Sequence, residues 1–526
     1  MSSTTRRKFL KSVAAGSAVL SAPFYFPNIV RAAGPVWGDV PSGVWATPPD
    51  IKILEVHLLG GMAPFESFYY RPAAGVRTRG FDTEIANLNW NAACPGTPAG
   101  LVSQTFTTDT NTKPVELGPF AKPFWPIHIS NRMRVIVLKH DLMPHEAAIP
   151  LVMTGLRLGR PAQASMGSAI QHRYRALDEA AANPQRIAPY AYGLLPPTAT
   201  LNNLLFSMMG ALGTHIGTAK PLVLRIGPQF SAFLSQLGRA GMTQPANSLI
   251  DQLRGQYRDW LRFQGSTAPD NLVRSSAFRD YDGAVANLLD APSLATLLTT
   301  ISSTINTDAS CATEALPFEN NANPTRTALE AAVFLLTRQT SDRPRYVHVV
   351  DSGINPRFGL PYDVHSAGNA TDTGSNLWNT LATLARLTKD PANPTADDAD
   401  KLDLNDTMIV LNTEFGRTPF KSAGGVPDPV NSLGRDHWPD AFCSVLIGGP
   451  ITTTGVVGSI NDAVNAGGVA DIPFSPTDMR AALLLAMNIN PFENENYPQG
   501  ALSAQFAGAA DHTAAMIALR QTILGV

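Results

Sequence analysis

Three cysteines in 526 residues are too few for a disulfide framework and allow at most one internal bridge. No Cys-x-x-Cys pair occurs, so neither a zinc ribbon nor a dithiol redox site is supported. No Gly-x-Gly-x-x-Gly follows a strand-like run and no haem motif is present, which removes the usual marks of a dinucleotide or haem oxidoreductase. Charge is sparse: 16% of residues are charged and 44% hydrophobic, a balance that supports a large core and excludes global disorder. Long apolar runs are lacking too. Beyond the N-terminal segment no stretch of about 18 uninterrupted apolar residues occurs, so no membrane span is expected there.

Proline and glycine are plentiful instead, at 42 and 41, which suits a chain of many loops rather than a helical bundle. The N-terminus reads Arg6-Arg7-Lys8-Phe9-Leu10-Lys11, then an apolar stretch from Val13 to Phe26, then the small pair Ala32-Ala33. Paired arginines, a short apolar run and a small-residue end, in that order, predict a twin-arginine signal over residues 1–33. The expected partner in export is the twin-arginine translocase, and the expected location is the periplasm or the exterior. Cleavage would remove five basic residues and no acid, leaving 35 basic and 42 acidic residues and a net charge of −7. That balance argues against a nucleic-acid or anionic-membrane binder, whose affinity rests on clustered Lys and Arg.

Cys443 lies in Ala-Phe-Cys-Ser-Val-Leu-Ile and reads as a small residue of a buried strand. Cys94 and Cys311 sit in loop-like sequence and could pair in an oxidising compartment; the sequence leaves this open.

Strand-like runs are expected at 51–59, 134–139, 221–226, 346–350, 407–412 and 443–447. Helical patterns are expected at 146–154, 166–177, 325–338 and around Leu377, Leu381, Leu384 and Leu387. Leu249, Ile250, Leu253, Tyr257, Trp260 and Leu261 form a helical stripe read as core. Ser475-Pro-Thr-Asp478 has the form of a capping box. A loop-rich excursion is expected at 86–120 and a proline-rich loop at 184–199. Strands alternating with helices predict an α/β fold, a mainly parallel central sheet with helices on both faces, as one domain over 34–526.

In such a sheet ligands gather at the carboxyl ends of the strands. Glu66 follows the first strand after Gly60-Gly61; Asp141 and His145 follow the second. Asp363 and His365 come after the strand ending at Val350, and Glu414 comes two residues after Asn412. Arg435, Asp436 and His437 lie in the loop before the strand at 443. Carboxylate and neutral imidazole suit zinc, manganese or iron. Each group also has a structural alternative: a turn at Asp363-Val-His365, an ion pair within Glu414-Phe-Gly-Arg417, a hydrogen-bonded histidine in Gly434-Arg-Asp-His437. His57, His128, His172, His215, His348 and His512 have no partner nearby in sequence and read as structural, and Ser165 and Ser168 as caps of a helix.

The chain resembles a bacterial family of twin-arginine-exported proteins, a domain of unknown function placed in the alkaline phosphatase and sulfatase superfamily. The resemblance is carried by Gly60-Gly61 through Pro72, His145 through Gly155, Tyr362-Asp-Val-His365-Ser, Asp406 through Pro419 with Glu414-Phe-Gly-Arg417-Thr-Pro, and Gly434-Arg-Asp-His437-Trp-Pro. It implies an alkaline-phosphatase-like sheet and a metal site in which Asp363, His365 and His437 match one ligand set in type and order. The second set would need an Asp-His pair where this chain has Glu414-Phe415. A nucleophile would follow the second strand, and Asp141-Leu-Met-Pro-His145-Glu-Ala-Ala offers no Ser, Thr or Cys.

The leading expectation is therefore an exported metal-dependent hydrolase of phosphate or sulfate esters. Asp363, His365 and His437 would bind the divalent metal, with Glu414 or Asp436 nearby. His145 or Glu66 would guide water, and Arg417 or Arg435 would hold a small anionic ester. The rival expectation is an inactive envelope protein that uses the same fold for binding or assembly.

Overall fold

The run Lys52-Ile-Leu-Glu-Val-His-Leu58 is buried throughout, as a strand covered on both faces must be. Side chains alternate across it. Leu54, Val56 and Leu58 enter one hydrophobic cluster and Ile53 the other, so the polar Glu55 and His57 share the face of Ile53. The computed structural model describes residues 39–71, 103–157, 165–180, 191–195, 222–225, 252–253, 256, 324–337, 344–351, 353, 361–363, 365, 369–420, 422–423, 426–427, 434–461, 468–492 and 497–526. The expected signal at 1–33, Cys94, Cys311 and His215 lie outside the described residues.

Among the described residues eight strands form the central sheet: β1 (Lys52–Leu58), β2 (Met133–Leu138), β3 (Ala191–Leu195), β4 (Leu222–Arg225), β5 (Tyr346–Asp351), β6 (Thr407–Asn412), β7 (Phe442–Gly448) and β8 (Gly455–Val457). Their spatial order is β8-β2-β7-β6-β1-β5-β3-β4. β7 alone runs against its neighbours, antiparallel to β2 and β6; every other pairing is parallel. The mainly parallel α/β architecture is as expected.

Helices cover both faces. α1 (His145–Thr154), α2 (Met166–Ala180), α5 (Pro476–Ala486) and α6 (His512–Leu519) supply Ile149, Ile170, Leu483 and Met516 to the cluster of Ile53. α3 (Pro324–Thr337) and α4 (Asn369–Arg386) supply Leu329, Leu336, Leu377 and Leu381 to the cluster of Val56. The Ser475–Asp478 capping box closes the start of α5 reciprocally, a contribution of about 1 kcal/mol. Ser165 caps α2 through its hydroxyl, which accepts from Ser168 N at 3.2 Å, whereas Ser168 lies within the helix. Among the described residues no helix is long and apolar enough to cross a membrane.

Three expectations need correction. Ala191–Leu195, inside the expected proline-rich loop, is a strand of the sheet; pairing with β4 and β5 on its two sides overrides the local punctuation. The described part of the 86–120 excursion has regular structure: Gln104–Thr108 and Pro114–Leu117 form a hairpin, and Pro119–Phe124 a 3-10 helix; residues 86–102 lie outside the described residues. Thr and Val favour the strands, and Asp109 closes the turn by accepting from the backbone of Asn111 and Lys113. Of the expected helical stripe only Leu253 is described, and it is 56% exposed rather than core; Leu249, Ile250, Tyr257, Trp260 and Leu261 lie outside the described residues.

A polar stripe crosses the Glu55 face of the sheet. Ser444 of β7 donates to Asn412 of β6 at 2.7 Å, and Asn412 to Glu55 at 3.3 Å. Tyr346 of β5 donates to the same carboxylate at 2.7 Å, and Arg480 of α5 caps it from above. Burial pushes the Glu55 carboxyl up, but the Arg480 charge and its hydrogen bonds outweigh it and hold the pKa down at about 2. Cys443 is buried in β7 as expected, and burial raises its thiol pKa.

Candidate metal centre

The carboxyl ends of β1, β2, β5 and β6 meet at one rim. Because β7 runs the opposite way, its entering segment, Arg435 to Trp438, reaches that same rim. A short antiparallel ladder fixes the approach, with His437 opposite Arg417 and Trp438 opposite Gly416. Residues from five strands are thus brought together.

Asp363 sits at the centre. The segment carrying it is held on one side by Leu59, whose carbonyl accepts from Tyr362 N at 3.2 Å. On the other side Tyr362 OH donates to Asp351 at 2.6 Å, and Asp351 also accepts from Thr325 and Thr380. The chain passes so close to Gly60 that a Cβ there would lie 2.6 Å from Asp363 N, and Gly60 has φ +117°. Glycine at this position is a condition of the site.

Three imidazoles surround the Asp363 carboxylate. Its Oδ1 lies 3.0 Å from His365 Nε2, 3.4 Å from His437 Nε2 and 3.8 Å from His145 Nε2. His365 Nε2 and His437 Nε2 are 3.0 Å apart. In each ring the other nitrogen faces an acceptor. His145 Nδ1 donates to Glu414 Oε1 at 2.7 Å, His365 Nδ1 to Asp436 Oδ1 at 3.1 Å, and His437 Nδ1 to the Met143 carbonyl at 2.7 Å. A neutral ring protonated at Nδ1 presents a bare lone pair at Nε2. Three such lone pairs face one another and a carboxylate oxygen.

Arg417, bonded to Asp363 and with Nη1 3.4 Å from His365 Nε2, offsets part of the repulsion among them, and further positive charge would offset the rest. The ionisation behaviour says the same. Burial disfavours the His145 cation, yet the nearby Asp363 carboxylate, the hydrogen bond that His145 donates to Glu414, and the negative charges of both raise its pKa to about 9. Asp363, though burial pushes it up, is held far below the ordinary carboxylate range by the three histidines and Arg417. Burial lowers the His437 pKa.

A divalent cation meets the same demand with neutral rings. Four donors at about 2.0–2.1 Å in a tetrahedron stand about 3.3 Å apart; the spacings from Asp363 to the three imidazoles and between His365 and His437 are 3.0 to 3.8 Å. His145 Nε2 is buried with no hydrogen-bond partner among the described residues, a donor atom aimed at nothing else. His145, Asp363 and His437 lie with one donor atom each within 4.8 Å of one another. His365 adds a fourth on the solvent side, with its side chain 43% exposed. Asp363, Glu414 and Asp436 bring three negative charges against the one positive charge of Arg417, and a divalent ion neutralises the remainder. The residues present fit such an ion.

Several expected roles change. His145, expected as a guide for water, is instead the third imidazole of the donor set. Glu414 and Asp436, expected near the metal, bond the outer nitrogens of His145 and His365. Glu414 is wholly buried, accepting also from His57 Nε2 at 3.1 Å and Gly60 N at 2.7 Å. Glu66 is buried in an ion pair with Arg435 and does not reach the Asp363 carboxylate. Arg417 is also buried, bonded to Asp363, to the Gly60 carbonyl and, at 3.1 Å, to the Arg435 carbonyl. Neither arginine is exposed to grip a ligand in solvent. Each instead reaches a carboxylate of the chain itself, Asp363 for Arg417 and the buried Glu66 for Arg435.

Three residues escaped the sequence reading. His57 belongs to the site through Glu414; a histidine and a glutamate on one face of a buried strand were the available signal. His140 Nε2 donates to the Glu414 carbonyl at 2.6 Å, while its Nδ1 accepts from Leu142 N, and so fixes that backbone. Phe415, expected only as a ligand lost, stacks on His437 with ring centres 4.2 Å apart and lies 4.8 Å from His145. It forms the floor on which two donor rings rest.

No curated protein matches the sequence. The family match covers the segment that holds Asp363, His365, Glu414, Arg417 and His437, and leaves His145 and Glu66 before it. The model described as "Protein of unknown function (DUF1501)" matches residues 234–514, more than half of the 526-residue chain, and the chain belongs to that family.

Proposed function

We propose that this protein holds one divalent transition metal through His145, Asp363, His365 and His437 and is an exported metal-dependent hydrolase of phosphate or sulfate esters. The observation that carries the metal reading is the convergence of three Nε2 atoms on Asp363 Oδ1, each ring locked by an acceptor at Nδ1. The ester class and export rest on the resemblance in the sequence and on the paired arginines at Arg6-Arg7.

Zinc, manganese or iron suits this donor set, and such an ion supplies Lewis acidity and a bound water of lowered pKa. The chain's own residues do the rest. Glu414, Asp436 and the Met143 carbonyl keep each Nδ1 protonated, so the Nε2 atoms stay available. Phe415 sets the planes of His145 and His437. Arg417 steadies Asp363 from beneath. His365 stands at the solvent edge, where a ligand would arrive. Among the described residues no Ser, Thr or Cys side chain bonds to any of the four donors, which favours attack by water over a covalent intermediate.

A second reading is binding or assembly without turnover. The burial of Arg417 and Arg435 favours it, since an anionic substrate then lacks its expected clamp.

Metal analysis of protein purified without chelator tests the reading: about one transition-metal ion per chain is expected, lost in Asp363→Ala and His437→Ala. Protein that carries and takes up none refutes it. Aryl phosphates and aryl sulfates with the identified metal then separate the two readings, since turnover abolished by His437→Ala supports the hydrolase and metal without turnover supports binding.

A further inference from the structure

We propose that Glu414 and His57 are positioning residues for the metal centre, a buried carboxylate and a fourth imidazole that fix His145 without touching the ion. The inference rests on the reading of His145, Asp363, His365 and His437 as a cation site.

Both Glu414 oxygens are engaged. Oε1 accepts from Gly60 N and His145 Nδ1, each at 2.7 Å, and Oε2 accepts from His57 Nε2 at 3.1 Å. The two nitrogens of an imidazole point to opposite sides of the ring. An oxygen bonded to His145 Nδ1 therefore lies across the ring from whatever Nε2 faces, and Nε2 faces Asp363. This is the pattern in which a carboxylate holds a ligating histidine in one tautomer and raises its basicity.

His57 completes the pattern through the sheet. In the β1–β6 ladder His57 stands opposite Asn412, two residues before Glu414. Strand register, rather than a loop, sets the distance from His57 to the carboxylate. His57 and Glu414 are both fully buried, so their hydrogen bond meets no competition from water. Without His57, Oε2 would keep only the longer bond from the Thr413 hydroxyl at 3.4 Å, and Gly60 N alone would hold the carboxylate firmly toward His145, so its grip on that ring would loosen.

Cobalt(II) titration of the full chain, followed by its visible absorption bands, tests the proposal. Glu414→Gln is expected to weaken cobalt binding by about 10- to 100-fold while the saturated spectrum keeps the wild-type band positions and intensity. His57→Phe, which keeps the carboxylate, is expected to fall between wild type and Glu414→Gln. It decides the matter alone if Glu414→Gln does not fold. A changed saturated spectrum in Glu414→Gln makes Glu414 a ligand and overturns the proposal. So does an affinity within about two-fold of wild type in whichever variant folds. Wild-type protein that binds no cobalt and no zinc is a different failure, that of the cation site itself.

Discussion

Arg480 of α5 donates to Glu55 at the middle of β1 through both terminal nitrogens, at 2.7 and 2.5 Å, and neither side chain meets solvent. Removing one partner strands a buried charge. Arg480→Met is expected to lower unfolding stability by about 3–5 kcal/mol, while Glu55→Leu combined with Arg480→Met recovers most of it. Urea denaturation midpoints of the two single variants and the double variant check this. The acid side follows from sign. The Glu55 pKa drops on folding from 4.5 to about 2, so its contribution is complete above pH 4.5 and is lost as pH falls through 2.

His348 of β5 contributes in the opposite chemical form. It is fully buried, neither ring nitrogen has a hydrogen-bond partner among the described residues, and burial lowers its pKa from 6.5 to about 3. The unfolded chain therefore binds one more proton than the folded chain between those values. Stability is expected to fall by up to about 1.4 kcal/mol per pH unit as pH drops from 6.5 toward 3. His348→Phe removes this slope, with little change at pH 7 because no hydrogen bond is lost. Thermal melts across that pH range measure both.

An ion that binds only the folded chain at the proposed site is expected to raise the melting temperature. With free zinc at about 1,000 times its dissociation constant the expected gain is about 4 kcal/mol. Asp363→Asn is expected to abolish the gain, and chelation of the wild-type protein to reverse it. Differential scanning calorimetry with and without zinc reads the effect, and an equal gain in Asp363→Asn places the zinc elsewhere.

Gly60→Ala acts on the site from a distance. Its Cβ would meet Asp363 N at 2.6 Å and Tyr362 C at 2.9 Å, both backbone atoms that cannot turn aside. Its φ of +117° adds strain of about 1–2 kcal/mol. The 361–363 segment is expected to shift and metal affinity to fall sharply, with the sheet intact by circular dichroism.

The sequence made the strands and most helices legible because their hydrophobic periods are clean, as in Thr407–Asn412 and the leucines of α4. It also singled out all four residues of the proposed donor set, His145 in another role. The second layer was harder to see. Glu414 and Asp436 have the chemistry of ligands, and only the geometry of the His145 and His365 rings turns them into acceptors for Nδ1. Arg417 and Arg435 look like anion clamps until their burial is known, and burial is decided by segments far away in the chain. His437 was placed at the rim although it precedes its strand, a position that in an all-parallel sheet belongs to the opposite edge. The reversed direction of β7 brings it round, and no local pattern announces that reversal.

The strand order carries a consequence for how the molecule comes into being. β1 is among the first elements made, yet both of its neighbours, β5 and β6, are synthesised in the last two-fifths of the chain. β2 likewise waits for β7 and β8. Until β5 is made β1 has no sheet neighbour, and until β7 is made β2 has none, so the emerging chain is expected to expose early strands and the sheet to close late. A fragment limited to residues 234–514 would lack the strand at the middle of its own sheet.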